Sequence, residues 1–479
     1  MSEKDIYDYQ VESIKEVEGD EELPAVVKEW VKEFGRVSRL NEFPAIISFF
    51  ILLGQVMKDM VQIPYGPTTE DTRIHGCWIQ TARSGKSVLN DYFLEIANMT
   101  FAMINDADDL FGDKEKEFNI FDIIEYTDAA LIGTTEEVDN PEYGEPDEPR
   151  TIQQQVDGAL EGSGIAFFDE FEYSGVFNSS QYKQGVVPYF QRLMNTLSTD
   201  GYIIKKKLAS GPIVTCKCQR SMWATTYPPE QLTDVIAHKG VLQRMFMYIH
   251  DVPLSQQKEM RKSLIHSLGT IEDRNTPTQR FAKAVTTIYS EVKKRAEEVD
   301  NKKVMVTFAE GVLDRIELEY EQMDASLKNI PIEHAKIIRL FETNCLLYIG
   351  KFAVLCAIAE SPSRPKDEKW VVQIRNVVQG AWIVRQSYKS LTAWVGSALM
   401  AKRKTIEETT RIGDFKNAFN NIEMSKRQEG WVLKADLIAT LIDKYNHSKA
   451  TIYRDWPDVE YLFEEKKIGR AVLLKLKEE

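Results

Sequence analysis

The segment that most constrains this chain is CWIQTARSGKSVLNDYF, from Cys77 to Phe93. A short apolar run, Cys77–Ile79, leads into a tight loop ending Ser84-Gly85-Lys86-Ser87, and helical spacing follows. A strand feeding a glycine-containing loop and then a helix turns backbone N–H groups and the positive end of a helix dipole toward one point, which suits a phosphate. On this reading Thr81, Ala82, Arg83, Ser84, Gly85, Lys86, Ser87 and Val88 line the phosphate site. Lys86 would reach the β- and γ-phosphates, and the Ser87 hydroxyl would coordinate Mg²⁺. One position departs from G-x-x-x-x-G-K-[ST]: Gln80 stands where the first glycine is expected. The plainer reading is a lysine opening an ordinary helix.

A second segment, SGIAFFDEFEYSG from Ser163 to Gly175, places Asp169 and Glu170 at the end of an apolar strand, Asp169 lying 83 residues after Lys86. In that order the two acids suit metal-assisted phosphoryl transfer. Asp169 would hold Mg²⁺ and Glu170 would polarise the attacking water. The alternative is a strand that ends in two solvated acids.

The chain has 479 residues, 43% hydrophobic, enough for roughly three or four domains with sizeable cores. Its net charge of −14 excludes a uniformly basic DNA-coating protein but not a local basic site. Five cysteines without a Cys-x-x-Cys pair argue against a disulfide framework and a structural zinc, and for a cytoplasmic chain. The polar start MSEKDIYDYQVES is no signal peptide, and the apolar run Phe43–Gly54 is too short to span a bilayer, so no membrane partner is expected.

Residues 1–71 read as a helical N-terminal region. Residues 72–255 alternate short apolar runs with helical stretches, an α/β pattern. The runs are Cys77–Ile79, Ala129–Ile132, Ile165–Phe168, Ile213–Cys216, Met222–Ala224 and Met245–Ile249, with an acidic loop over 136–150. Residues 256–400 read as helical, with amphipathic stretches near 279–299, 310–328, 333–359 and 370–400. After AKRKT at 401–405, residues 401–479 read as a separate module.

Between 188 and 250 the order is a helix (188–198), a strand carrying Lys205, Lys206 and Lys207, a turn at Ala209–Pro212, a strand over 213–218, and an apolar strand ending Ala224-Thr225-Thr226. Arg244 then precedes a further short strand. With the two acidic and phosphate motifs, this order resembles minichromosome-maintenance helicases and the related phage and plasmid helicase–primase ATPases. These are ring-forming AAA+ motors with a hairpin inserted before the sensor strand. The likeness covers about residues 72–250 and, more weakly, a helical lid.

The resemblance implies a three-layer α/β P-loop core, ATP and Mg²⁺ as cofactors, and a homo-oligomeric, hexameric ring translocating on single-stranded or forked DNA. It implies a virus or other mobile element as source, hence the host cytoplasm. Lys205, Lys206 and Lys207 would project into the pore, where ammonium groups grip phosphates without reading sequence. Their plainer reading is a solvated edge strand. Thr225 or Thr226 would act as the sensor, where those families carry Asn. Arg244 would be the arginine finger for a neighbouring subunit, and Arg339 the lid's second sensor; each also reads as a surface arginine. About 70 residues precede the motor, too few for a primase domain, so priming would come from a separate primase or other replisome proteins.

The last module reads as winged-helix: helices at Asp414–Asn421, Leu433–Tyr445 and after Ser448, then a Gly-centred hairpin. Lys449, Thr451, Tyr453, Arg454, Lys466, Lys467 and Arg470 offer DNA contacts, opposed by Asp455, Asp458, Glu460, Glu464 and Glu465. Three other readings stand beside a helicase: an AAA+ initiator or loader using ATP as a switch, a binding protein whose nucleotide site is dead, which Gln80 suggests, and a DNA-packaging ATPase.

Overall fold

The computed structural model describes residues 23–38, 41–81, 84–110, 117–123, 127–140, 150–171, 186–208, 211–228, 240–250, 258, 262, 273–299, 302–328, 330–364, 370–427, 430–445, 447–469 and 471–477. Ala82, Arg83, Arg470, the turn residues 209–210 and the middle of the acidic loop lie outside them. The chain divides into two compact units, residues 1–396 and 397–479. Residues 1–71, 72–255 and 256–400, set apart in the sequence reading, fall in the first unit except for 397–400.

The first unit opens with α1 (Ala25–Val37) and α2 (Glu42–Met57). α1 turns Val27, Trp30 and Phe34 inward. α2 is buried at every position from Pro44 to Met57, as expected for a helix apolar on all sides. The chain continues through β1 (Val61–Tyr65), β2 (Thr68–Glu70) and β3 (Gly76–Gln80), then α3 (Lys86–Leu110), β4 (Phe118–Ile123) and α4 (Asp128–Ile132). A hairpin of β5 (Thr134–Asp139) and β6 (Thr151–Val156) precedes β7 (Gly162–Phe168) and α5 (Val187–Leu193). β8 (Ile203–Lys207), β9 (Ile213–Thr226) and β10 (Phe246–His250) complete the core strands.

The central sheet has the order β10-β3-β9-β7-β4, every neighbour parallel, with β8 antiparallel to the start of β9. Counted along the chain these five strands lie 5-1-4-3-2, so the first is enclosed by the fourth and fifth. β3 and β7 are buried almost throughout, the signature of parallel strands covered on both faces. α2 lies against β3, β7 and β9, and α3 against β4. β7 comes so close to β4 that a Cβ on Gly164 would sit 1.7 Å from the Asn119 carbonyl oxygen; only glycine fits there.

Four expectations change. Ala129–Ile132 is a short helix rather than a strand: the Thr127 side chain caps its start, and Gly133 at φ 94° ends it. The helix expected over 188–198 is only Val187–Leu193. The two strands expected over 213–226 are one 14-residue strand. The edge strand β4 was not anticipated.

The rest of the first unit is mainly helical: α6 (Asn275–Glu297), β11 (Val304–Met305), β12 (Thr307–Phe308), α7 (Val312–Ser326), α8 (Ile332–Ala359), β13 (Val371–Val372) and the first part of α9 (Ile374–Asn420). Within α8, His334–Ala359 is long and apolar enough to cross a membrane, with mean hydropathy 1.4, but 72% of that window is buried. A core helix passes the same test.

In the second unit the end of α9 is followed by β14 (Val432–Leu433), α10 (Lys434–Tyr445), α11 (Lys449–Val459), β15 (Phe463–Ile468) and β16 (Ala471–Leu476). The strands form an antiparallel sheet, β14-β16-β15. Phe415, Phe419, Leu437, Leu441, Ile452, Trp456 and Leu474 fill its core. Ser448 caps α11, its side chain accepting from the Thr451 N–H at 3.1 Å.

Candidate nucleotide site

β3 ends at Gln80, and the chain turns into α3 at Lys86. Gly85 has φ 81°, a left-handed backbone that side-chain-bearing residues adopt only at a cost. Gln80 is not among the residues of positive φ, so nothing in the backbone there requires glycine. Its amide does structural work instead: the oxygen accepts from Trp78 Nε1 at 2.5 Å, and Nε2 donates to Asn41 Oδ1 at 3.0 Å. Asn41, fully buried just before α2, donates through Nδ2 to the Ser84 carbonyl at 2.8 Å. Ser38 Oγ donates to the Gly85 carbonyl at 3.3 Å, and Ser84 Oγ to the Thr81 carbonyl at 2.6 Å. The segment between α1 and α2 therefore braces the loop from behind.

Lys86 is 8% exposed. Its Nζ donates to the carbonyl of Gln80 at 2.6 Å and of Thr226 at 2.9 Å, joining the ends of β3 and β9, and stands 3.9 Å from the centre of the Tyr227 ring. Ser87 and Val88 are exposed, so the first turn of α3 opens to solvent.

The acids follow β7. Thr225 Oγ1 donates to Asp169 Oδ1 at 2.6 Å, and that oxygen also accepts from the Glu170 N–H at 3.1 Å. Glu170 has φ 51°, a left-handed conformation uncommon outside glycine that concentrates at functional turns. Asp122, near the end of β4, has its pKa raised by burial and then by the charges of Asp169 and Asp91. Negative charge is thus crowded at this end of the sheet. Among the described residues no three His, Cys, Asp or Glu side chains form a group that could hold a metal ion by themselves.

β9 lies between β3 and β7. Its last two residues bond to Asp169 through Thr225 and to Lys86 through Thr226, which draws the loop and the acidic strand end together. The sequence left the sensor open between these threonines, with Thr226 favoured; it is the Thr225 hydroxyl that meets Asp169, while Thr226 contributes its carbonyl to Lys86.

The arginines are placed elsewhere. Arg244 is exposed before β10, at the other end of the sheet from the loop. The paired ends Gly76–Phe246 and Gln80–His250 are roughly 13 Å apart along the strands. The Tyr348 hydroxyl donates to the Arg244 carbonyl at 2.8 Å. Arg339 is exposed on α8 and pairs with Asp324 at 2.9 Å; no described contact takes it to the loop. Lys205 and Lys207 are exposed on β8, and Lys206 is half-buried.

One feature near the loop brace, though lined by none of the loop residues themselves, was not foreseen. A cavity of about 580 Å³ lies beside the loop brace, lined by Lys28, Lys32, Phe43, Ile46, Tyr248, Trp382 and Gln386 among others. Phe43 is two residues beyond Asn41, and its ring centre is 4.6 Å from that of Tyr248 and 6.2 Å from that of Trp382. Burial pushes the Tyr248 hydroxyl up to about 12, so it stays neutral. Isolated aromatics in α2, β10 and α9 gave no sequence signal, because only the fold gathers them.

Compared with known proteins, the chain matches no family model and no curated protein.

Proposed function

We propose that this chain is a magnesium-dependent nucleoside-triphosphate hydrolase with a three-layer P-loop core of the AAA+ kind, working as a ring-forming DNA helicase of a virus or mobile element. One observation carries the reading: consecutive residues of β9 reach Asp169 and Lys86. That supports the reading, because both residues then stand at the carboxyl ends of parallel strands, beside a change in strand order, where α/β sheets bind ligands.

In this reading the N–H groups of the loop and of the first turn of α3 hold the phosphates. Lys86 exchanges its carbonyl partners for β- and γ-phosphate oxygens. Glu170 accepts the proton of the attacking water, and Thr225 holds Asp169 in one orientation. The open Ser87 hydroxyl and the Asp169 carboxylate would hold Mg²⁺, whose charge the crowded carboxylates favour. A hard ion of this kind takes one or two protein ligands and completes its shell with phosphate and water. There it would neutralise charge developing between the phosphates. The aromatic cavity is of a size suited to the base.

Arg244, at the other end of the sheet from its own chain's loop, would on this reading serve the site of a neighbouring subunit in a ring. The second unit, with its helix–strand–helix–helix–hairpin order, we read as a winged-helix module.

The test compares Lys86→Ala and Glu170→Gln with the wild type. Lys86→Ala should lose nucleotide binding. Glu170→Gln should still bind nucleotide while hydrolysis falls roughly 100-fold or more. A Lys86→Ala protein that hydrolyses ATP at the wild-type rate would overturn the proposal. Strand displacement on forked DNA then separates a helicase from an initiator or loader.

A further inference from the structure

Beside the basic strand β8 lies a cleft of about 420 Å³, bounded by α5, the one-turn helix Asp200–Tyr202 and β8. Its wall carries Pro188, Tyr189, Arg192, Asp200, Ile203 and Lys205. The composition is unlike a plain charged edge. Tyr189 is half-buried, and Lys206 Nζ stands 5.8 Å from its ring centre. Arg192 is exposed, and its guanidinium donates to the Gly201 carbonyl at 3.1 Å, which fixes its stem along the rim. Lys205 is exposed, and one acid, Asp200, stands against these cations. The cleft's positive balance runs against the chain's net charge of −14.

We propose that this cleft is a subsite for one nucleotide of single-stranded nucleic acid. The base packs against Tyr189, Pro188 and Ile203, and the adjoining phosphate lies toward Lys205 and Arg192. An aromatic ring flanked by cations grips single strands in this way, tolerant of sequence because every base has a π-face. A duplex keeps its base faces stacked and cannot enter. The inference rests on the reading of β8 and β9 as the DNA-gripping hairpin, and goes beyond it by adding a contact to the base where the lysines alone would touch only the backbone.

The experiment measures binding of the full chain to a fluorescein-labelled oligothymidylate and to an abasic strand of equal length. Tyr189→Ala should weaken oligothymidylate binding roughly 5- to 100-fold and leave abasic binding unchanged. Tyr189→Phe, which keeps the ring, should retain wild-type affinity. Charge reversal at Lys205 and Lys207 should weaken both ligands. Melting curves show whether the variants fold, and Tyr189→Leu, which removes the ring but keeps an apolar side chain, takes the place of Tyr189→Ala if that variant does not. If the wild type binds both strands and Tyr189→Ala weakens both equally or neither, or if Tyr189→Phe binds like Tyr189→Ala, the cleft is overturned while the hairpin reading stands. If the wild type binds neither strand, both fall.

Discussion

The two ends of the central sheet use the same residue types for different ends. At the amino end, Arg73 pairs with Asp71 at 2.9 Å and donates to the carbonyls of Leu193, Asn195, Cys218 and Arg220. Lys351 bonds the Arg73 carbonyl at 3.2 Å and stands 3.6 Å from Glu70. Burial alone would raise the pKa of Asp71. Arg73 and Lys351 nearby, with hydrogen bonds from Arg73 and the Leu197 N–H, outweigh it and hold the carboxyl far below the usual range. At the carboxyl end, Lys86 is about as buried as Lys351, 8% against 6%, but the bonds that place it run to strand-end carbonyls beside an open helix turn. Burial therefore does not separate the two lysines. What separates the two is their setting: Lys351 belongs to a network of buried ion pairs, whereas Lys86 ties two strand ends together beside an exposed helix turn.

Breaking the closed network should have the largest effect. Arg73→Met leaves Asp71 buried without its cation and should cost roughly 3–5 kcal/mol in denaturant unfolding. A fully stable Arg73→Met protein would erase the contrast. The same pair sets an acid limb: a carboxylate of depressed pKa contributes stability that is complete above its unfolded value near about 3.9 and is lost as pH falls below it. Asp71→Asn should flatten that limb. At the carboxyl end, Thr225→Val removes a hydrogen bond to a charged group. Hydrolysis should fall roughly 10- to 100-fold with little change in stability; a drop in stability instead would make Thr225 a scaffold residue. The smallest effect on hydrolysis should come from Gln80→Gly, which leaves the rate near wild type, although losing both buried bonds of the amide should cost roughly 2–4 kcal/mol of stability. A large gain in rate would show that glutamine restrains the loop.

The sequence disclosed what is local and left hidden what is assembled. Ser84 to Ser87 and Asp169-Glu170 were readable because each motif is contiguous and follows an apolar run. The apolar run of α2 was readable as a buried helix, but not that it lies under the sheet. Ala129–Ile132 misled because four apolar residues carry no period; the cap at Thr127 and the turn at Gly133 decide it. Gln80 looked like a defect because its partners, Trp78 and Asn41, come from two elements. The bond from Thr225 to Asp169 links residues 56 positions apart and had no signal in either segment.

β9 runs for 14 residues without interruption. It pairs with the lysine-bearing β8 over Ile213–Lys217 and with β7 over Cys218–Ala224 before ending at the two threonines. A rod of that length spans roughly 43 Å. The two threonines that meet Asp169 and Lys86 and the residues that pair with the lysine-bearing strand thus belong to one unbroken backbone.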